Sequence, residues 1–95
     1  MAGISKTVVS LHPGIIEEVS KFIDSRSNLV TEIDGMIGLA VAVTGEDEIT
    51  IIGVYESSKA AQAASDTVQK VFYDMASLMT SSPDRGVYSG VWFSK

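Results

Sequence analysis

The sequence predicts an α+β fold: a four-stranded antiparallel sheet with two helices on one face. Three observations carry this. Two segments place apolar residues at three- and four-residue steps, four short segments are apolar and β-branched, and their order along the chain is β-α-β-β-α-β. A chain of 95 residues suits one domain, residues 1–95.

Ser5 to Leu11 reads as the first strand, with Val8, Val9 and Leu11 in a β-branched context. His12-Pro13-Gly14 ends it, because proline cannot donate to a ladder but suits the first turn of a helix. A helix is predicted from about Pro13 to Ser27, with Ile15, Ile16, Val19, Phe22 and Ile23 on one stripe. Glu17 and Glu18 fall in its first turn, where the helix dipole favours negative charge. Leu29 to Asp34 reads as an irregular turn. A hairpin follows, with strands Met36 to Thr44 and Ile49 to Glu56 around a Gly45-Glu46-Asp47-Glu48 turn. Ser57 and Ser58 are good N-cap residues for a long helix to Met79, whose stripe runs Ala61, Ala64, Val68, Val71, Phe72, Met75, Leu78 and Met79. Ser81-Ser82-Pro83-Asp84 stops it, and Gly86 to Ser94 is the last strand. Right-handed crossovers then put both helices on one face, the ferredoxin-like arrangement.

A sheet covered on one side should alternate apolar and polar residues. These strands do not. In the second strand Ile37, Leu39, Val41 and Val43 alternate with Gly38, Ala40, Ala42 and Thr44, and neither set carries a charge. In the third, Ile49, Ile51 and Tyr55 alternate with Ile52 and Val54. The face away from the helices therefore calls for a cover, and a second copy of the chain supplies one. The expectation is a homodimer packed sheet to sheet. The small side chains of Gly38, Ala40 and Ala42 either let a helix approach closely or leave a hollow for a ligand, with Gly53 opposite Ala40 if the hairpin turn has two or four residues.

Composition excludes several function classes. Twelve acidic against seven basic residues give a net charge of −5, which argues against nucleic acid as a partner. With no cysteine, disulfides, thiolate metal sites and thiol nucleophiles are ruled out. The apolar start of the chain is interrupted at Pro13, and no stretch approaches the roughly 20 residues of a membrane span. No membrane association and a cytoplasmic location are the expectations. The glycines lie around the hairpin, not in a phosphate loop.

Pro13-Gly14 at the first helix, Asp34-Gly35-Met36-Ile37-Gly38 leading into the second strand, and the run from Ile51 through Tyr55-Glu56-Ser57-Ser58-Lys59 to Ala61 resemble the dimeric α/β-barrel superfamily, nearest the antibiotic-biosynthesis-monooxygenase type of domain. The resemblance spans about Ser5 to Phe93. In the Tyr-Glu-Ser segment that family more usually has Trp. The resemblance implies pairing through the sheets into a barrel. It also implies a cleft between sheet and helices that takes polycyclic or quinol-like molecules, or haem, and in several members oxidation by O₂ with no dedicated cofactor. The second helix has no histidine, which argues against haem. None of these segments is a catalytic motif.

Candidate site residues follow from residue chemistry. Trp92, Tyr73, Tyr55 and Tyr88 could line a hollow and stack on a planar aromatic ligand, but aromatic side chains more commonly fill a core or a dimer interface. Tyr73 lies beside the apolar stripe of the second helix. His12, the single histidine, could act as a base toward an acidic phenol, or be a solvated residue at a strand end. One histidine without cysteine predicts no metal site, and no cofactor is expected. The readings that remain are a cofactor-independent monooxygenase acting on an aromatic or quinol-like compound, a non-catalytic ligand-binding or accessory dimer, a structural domain, and a regulatory module of the amino-acid-binding type.

Overall fold

The computed structural model describes all 95 residues. Its elements are β1 (Ala2–Ser10), α1 (Ile16–Asp24), α2 (Leu29–Glu32), β2 (Met36–Gly45), β3 (Glu48–Tyr55), α3 (Ser58–Ala63), α4 (Ser65–Asp74) and β4 (Asp84–Gly90), with a 3₁₀ turn at Ala76–Leu78 between the last two. The four strands form one antiparallel sheet in the order β2-β3-β1-β4. This is the ferredoxin-like α+β fold.

Burial along β1 shows which face the helices cover. Gly3, Ser5, Thr7 and Val9 are buried, whereas Ile4, Val8 and Ser10 are half-buried and Lys6 is exposed. The odd-numbered face therefore meets the helices. Two core clusters form there. Val9, Leu11, Val19, Ile49, Phe72 and Met75 pack at one end of the sheet, and Ile33, Tyr55, Ala61 and Ala64 at the other. Val68 touches both clusters. Gly3 is required beneath α3, since a Cβ there would lie 2.3 Å from the Ser57 carbonyl oxygen. The Ser57 Oγ caps α3 by accepting from the Ala60 N–H at 3.1 Å.

Several boundaries differ from the sequence expectation, each for an identifiable reason. The first helix starts at Ile16, not Pro13, because Gly14 adopts a left-handed conformation (φ 77°) that a helix cannot contain. Gly14 N–H donates to Asp47 Oδ1 at 3.2 Å, tying this turn to the β2–β3 turn. Within Leu29 to Asp34, residues Leu29–Glu32 form the short helix α2.

The long second helix is interrupted at Ala64, where ψ of −7° flattens the backbone. Arg85 Nη2 donates to the Ala61 carbonyl at 3.0 Å beside this break. The apolar stripe continues through it, with Ala61, Ala64, Phe72 and Met75 all buried.

The last strand begins at Asp84, opposite Val8, and ends at Gly90, opposite Ala2. Pairing with β1 stops at Gly90, and Val91, Trp92 and Phe93 lie outside the sheet.

The hairpin register also shifts. Gly53 pairs with Leu39, not Ala40, because an irregularity between Val43 and Gly45 removes one β2 residue from the ladder. The row Gly38, Ala40 and Ala42 pairs with Val54, Ile52 and Thr50 on the face away from the helices. A Cβ on Gly38 would meet nothing within 4 Å. The small-residue row therefore does not line a hollow beneath a helix; the hollow lies on the opposite face.

Candidate functional site

The cavity sits between the two core clusters, under the helices. Its volume is about 350 Å³, at the lower end of the roughly 300–1,000 Å³ usual for small-molecule sites. The walls come from Phe22 and Ile23 of α1, Leu29, Val30 and Ile33 in and beside α2, and Val68, Val71, Phe72 and Met75 of the α4 arm. The floor is the inner sheet face: Leu39, Val41 and Ile51, with Ser5, Thr7 and Tyr55. Fourteen of the twenty lining residues are hydrophobic, so the site suits a mainly apolar ligand.

Two arginines border it. Arg26 follows α1, and its guanidinium lies 5.0 Å from the centre of the Phe22 ring. It pairs with Asp74 at the end of α4, Nη2 to Oδ2 2.9 Å, joining the two helical arms at the cavity rim. The two side chains are 39% and 49% exposed, so the pair contributes about 0–1 kcal/mol at most. Arg85 rises from the inner face of β4 opposite Thr7. It donates to the Ala61 carbonyl and, from Nη1, to Ser65 Oγ at 3.2 Å. Asp24 is the single carboxylate of the lining, and the residue is exposed.

Of the residues singled out in the sequence, the structure brings one to the cavity. Tyr55 lines its floor and is 1% exposed. Tyr73 points outward from α4, 81% exposed, and borders an open groove between α4 and residues 79–85. Tyr88 faces the uncovered side of the sheet, opposite Ile4. Trp92 lies past the end of β4, 40% exposed. His12 is exposed in the turn after β1, with its backbone N–H donating to the Leu78 carbonyl. The four aromatic side chains considered for the hollow are thus not brought together within this chain. Aromatic identity did not disclose facing; strand parity and the loss of pairing after Gly90 decided it.

The sequence reading missed Ser5, Thr7, Arg26 and Arg85. A signal was present for the first two: they share the odd-numbered positions of Val9 and Leu11, placing two hydroxyls on an otherwise apolar strand face. No comparable pattern marked the arginines, which reach the cavity from a loop and an edge strand. No helix is long and apolar enough to cross a membrane. No group of three or more His, Cys, Asp or Glu side chains is placed to hold a metal ion.

No protein-family model matches the sequence, and no curated protein matches it. Solved structures do match the fold. A protein of unknown function from Nitrosomonas europaea superposes with a TM-score of 0.82 at 14% identity, covering 99% of this chain and 93% of that one. A second protein from the same organism, provisionally named an antibiotic biosynthesis monooxygenase, gives 0.77 at 13% identity over 96% and 91% of the two chains. SnoaB, a cofactor-independent oxygenase from Streptomyces nogalater solved as its N63A mutant, gives 0.74 at 9% identity over 97% and 95%. The structures most similar in fold thus include antibiotic-biosynthesis-monooxygenase-type domains, the group that the sequence resembles. At these identities the likeness concerns the fold, and function has to be argued from the site.

Proposed function

We propose that the protein is a homodimer that takes an aromatic or quinol-like small molecule into the cavity between sheet and helices and oxidises it with O₂, as an oxygenase without a cofactor. The observation that carries this reading is the cavity: about 350 Å³, mostly apolar, and set between two packed clusters. Its size suits a flat ring system. Its few polar groups suit a ligand with one or two oxygens. An electron-rich phenol or quinol can reduce O₂ itself once deprotonated, so the protein has to bind it, orient it and exclude water. The guanidinium of Arg85, which is held by the neutral Ser65 Oγ and Ala61 carbonyl and faces no carboxylate partner, favours the deprotonated form. The fold shared with SnoaB supports the same reading by analogy.

The dimer is part of the proposal. Ile4, Val8, Ile52 and Val54 are half-buried on the outer sheet face beside Gly38, Ala40 and Ala42. Only 15 of 95 residues are buried in one protomer, so a second sheet on this face would add the core that the single chain lacks.

The test is O₂ consumption with 1,4-naphthohydroquinone, corrected for its spontaneous oxidation, together with mass detection of 2-hydroxy-1,4-naphthoquinone, the product when one atom of O₂ enters the ring and the other leaves as water. A saturable acceleration by the protein, lost in Ile51→Trp, which fills the cavity floor, is the expected result. No acceleration rejects the oxygenase. One observation favours a second reading, a ligand-binding dimer without chemistry: the lining offers no histidine, and its one carboxylate is the exposed Asp24. That protein would bind 1-naphthol in the same cavity without turnover.

A further inference from the structure

We infer that Ser5, Thr7 and Tyr55 form a three-hydroxyl anchor on the cavity floor that recognises a carbonyl or phenolic oxygen of the ligand. This rests on the cavity being a ligand site, as proposed above, and adds which part of the ligand is read and by which residues.

The three residues are 4%, 2% and 1% exposed, and all three line the cavity. None of their hydroxyls has a hydrogen-bond partner within the chain. Among fully enclosed side-chain polar atoms, Arg26 Nε alone is unpaired. The three hydroxyls are therefore not sealed into packing; they open into the cavity. Thr50, a buried threonine on the other face, behaves differently: its hydroxyl pairs with that of Thr44 at 2.8 Å. Buried hydroxyls are normally partnered, so three without partners on one wall point to a partner that arrives with the ligand.

The backbone brings them together. Ser5 pairs with Gly53 and Thr7 with Ile51 across β1 and β3, and Tyr55 stands two residues beyond Gly53 on the same face. Gly53 has no side chain there, which lets Ser5 Oγ and the Tyr55 ring lie close over it. The point where its Cβ would sit lies 2.6 Å from Ser5 Oγ and 3.3 Å from Tyr55 OH. A hydroxyl both donates and accepts, so this row fits a carbonyl oxygen or a phenol and gives nothing to a bare hydrocarbon. Arg85, opposite Thr7, is already engaged with Ala61 and Ser65.

The test is a ¹H–¹⁵N NMR titration with the matched pair 1-naphthol and naphthalene. Wild-type protein is expected to bind 1-naphthol at least about fivefold more tightly, the effect of one or two hydrogen bonds, with shifts at the amides of Ser5, Thr7 and Tyr55. In Ser5→Ala/Thr7→Val/Tyr55→Phe the preference should vanish, with naphthalene bound at least as tightly as 1-naphthol. Since the hydroxyls have no internal partners to lose, the variant should melt no lower than wild type. Thr7→Val and Tyr55→Phe alone should each reduce the preference about twofold or more. Equal affinities in wild type, or a preference that survives in the triple and single variants, overturns the anchor and leaves the cavity as a site. If neither compound shifts Ile51 or Val68, the anchor and the proposed function fall together.

Discussion

Replacing Gly53 by alanine tests the geometry of the cavity floor directly. The new Cβ would lie 2.6 Å from Ser5 Oγ, 2.9 Å from Tyr55 Cε1 and 3.3 Å from Tyr55 OH. Ser5 can rotate its short side chain. The Tyr55 ring, 1% exposed and packed among Ile33, Ala61 and Ala64, cannot move without disturbing that cluster. Overpacking of this kind costs about 1–3 kcal/mol. Removing a strand glycine returns roughly 0.5–1 kcal/mol. The expected net loss is about 1 kcal/mol, or a melting temperature lower by roughly 4–8 °C for a domain of this size. Gly38→Ala is the comparison variant: its Cβ meets nothing within 4 Å in the same chain, so no overpacking loss inside the chain is expected, and its sedimentation is read beside its stability because Gly38 lies on the face proposed to meet a second copy. Urea unfolding followed by far-ultraviolet circular dichroism at one fixed protomer concentration measures both. A Gly53→Ala protein as stable as wild type would refute the claim that the Tyr55 ring is wedged against this position. Weaker 1-naphthol binding in the same variant is expected as well, because the methyl group displaces Ser5 Oγ and the Tyr55 ring from their places on the cavity floor.

Two further predictions concern the outer sheet and the cavity rim. Ile52→Asp places a charge on the face proposed to meet a second copy; it should yield a folded monomer in sedimentation analysis, and a wild-type protein already monomeric at micromolar concentration would sink the dimer. Asp74→Asn removes the exposed pair with Arg26 and should lower stability by at most about 1 kcal/mol; a loss of about 3 kcal/mol would show that this contact holds the two helical arms together.

Much of the architecture was legible in the chain. The order β-α-β-β-α-β and the apolar stripe from Ala61 to Met79 follow from periodicities of about two and 3.6 residues, which local sequence carries. The two-sided apolar character of β2 was equally visible. The errors occurred where long-range pairing decides. Trp92 alternates with Val91 and Phe93 as a strand residue would, yet the β1–β4 ladder stops at the Ala2–Gly90 pair and Trp92 lies beyond it. Gly53 was placed opposite Ala40 by counting back from the turn, and one unpaired residue near Thr44 moved it opposite Leu39.

The site shows the same division. The sequence by itself determined that two helices would cover one face of a four-stranded sheet and that the second strand is apolar on both faces, because side-chain direction alternates along a strand. Only the tertiary structure decided that the hollow lies on the Leu39, Val41 and Ile51 face, that Tyr55 joins it while Tyr73, Tyr88 and Trp92 do not, and that Ser5 and Thr7 face it without partners. The reason is physical. A cavity is the space left after helices and sheet have packed around the two clusters at its ends, and its lining comes from residues as far apart in the chain as Ser5 and Arg85.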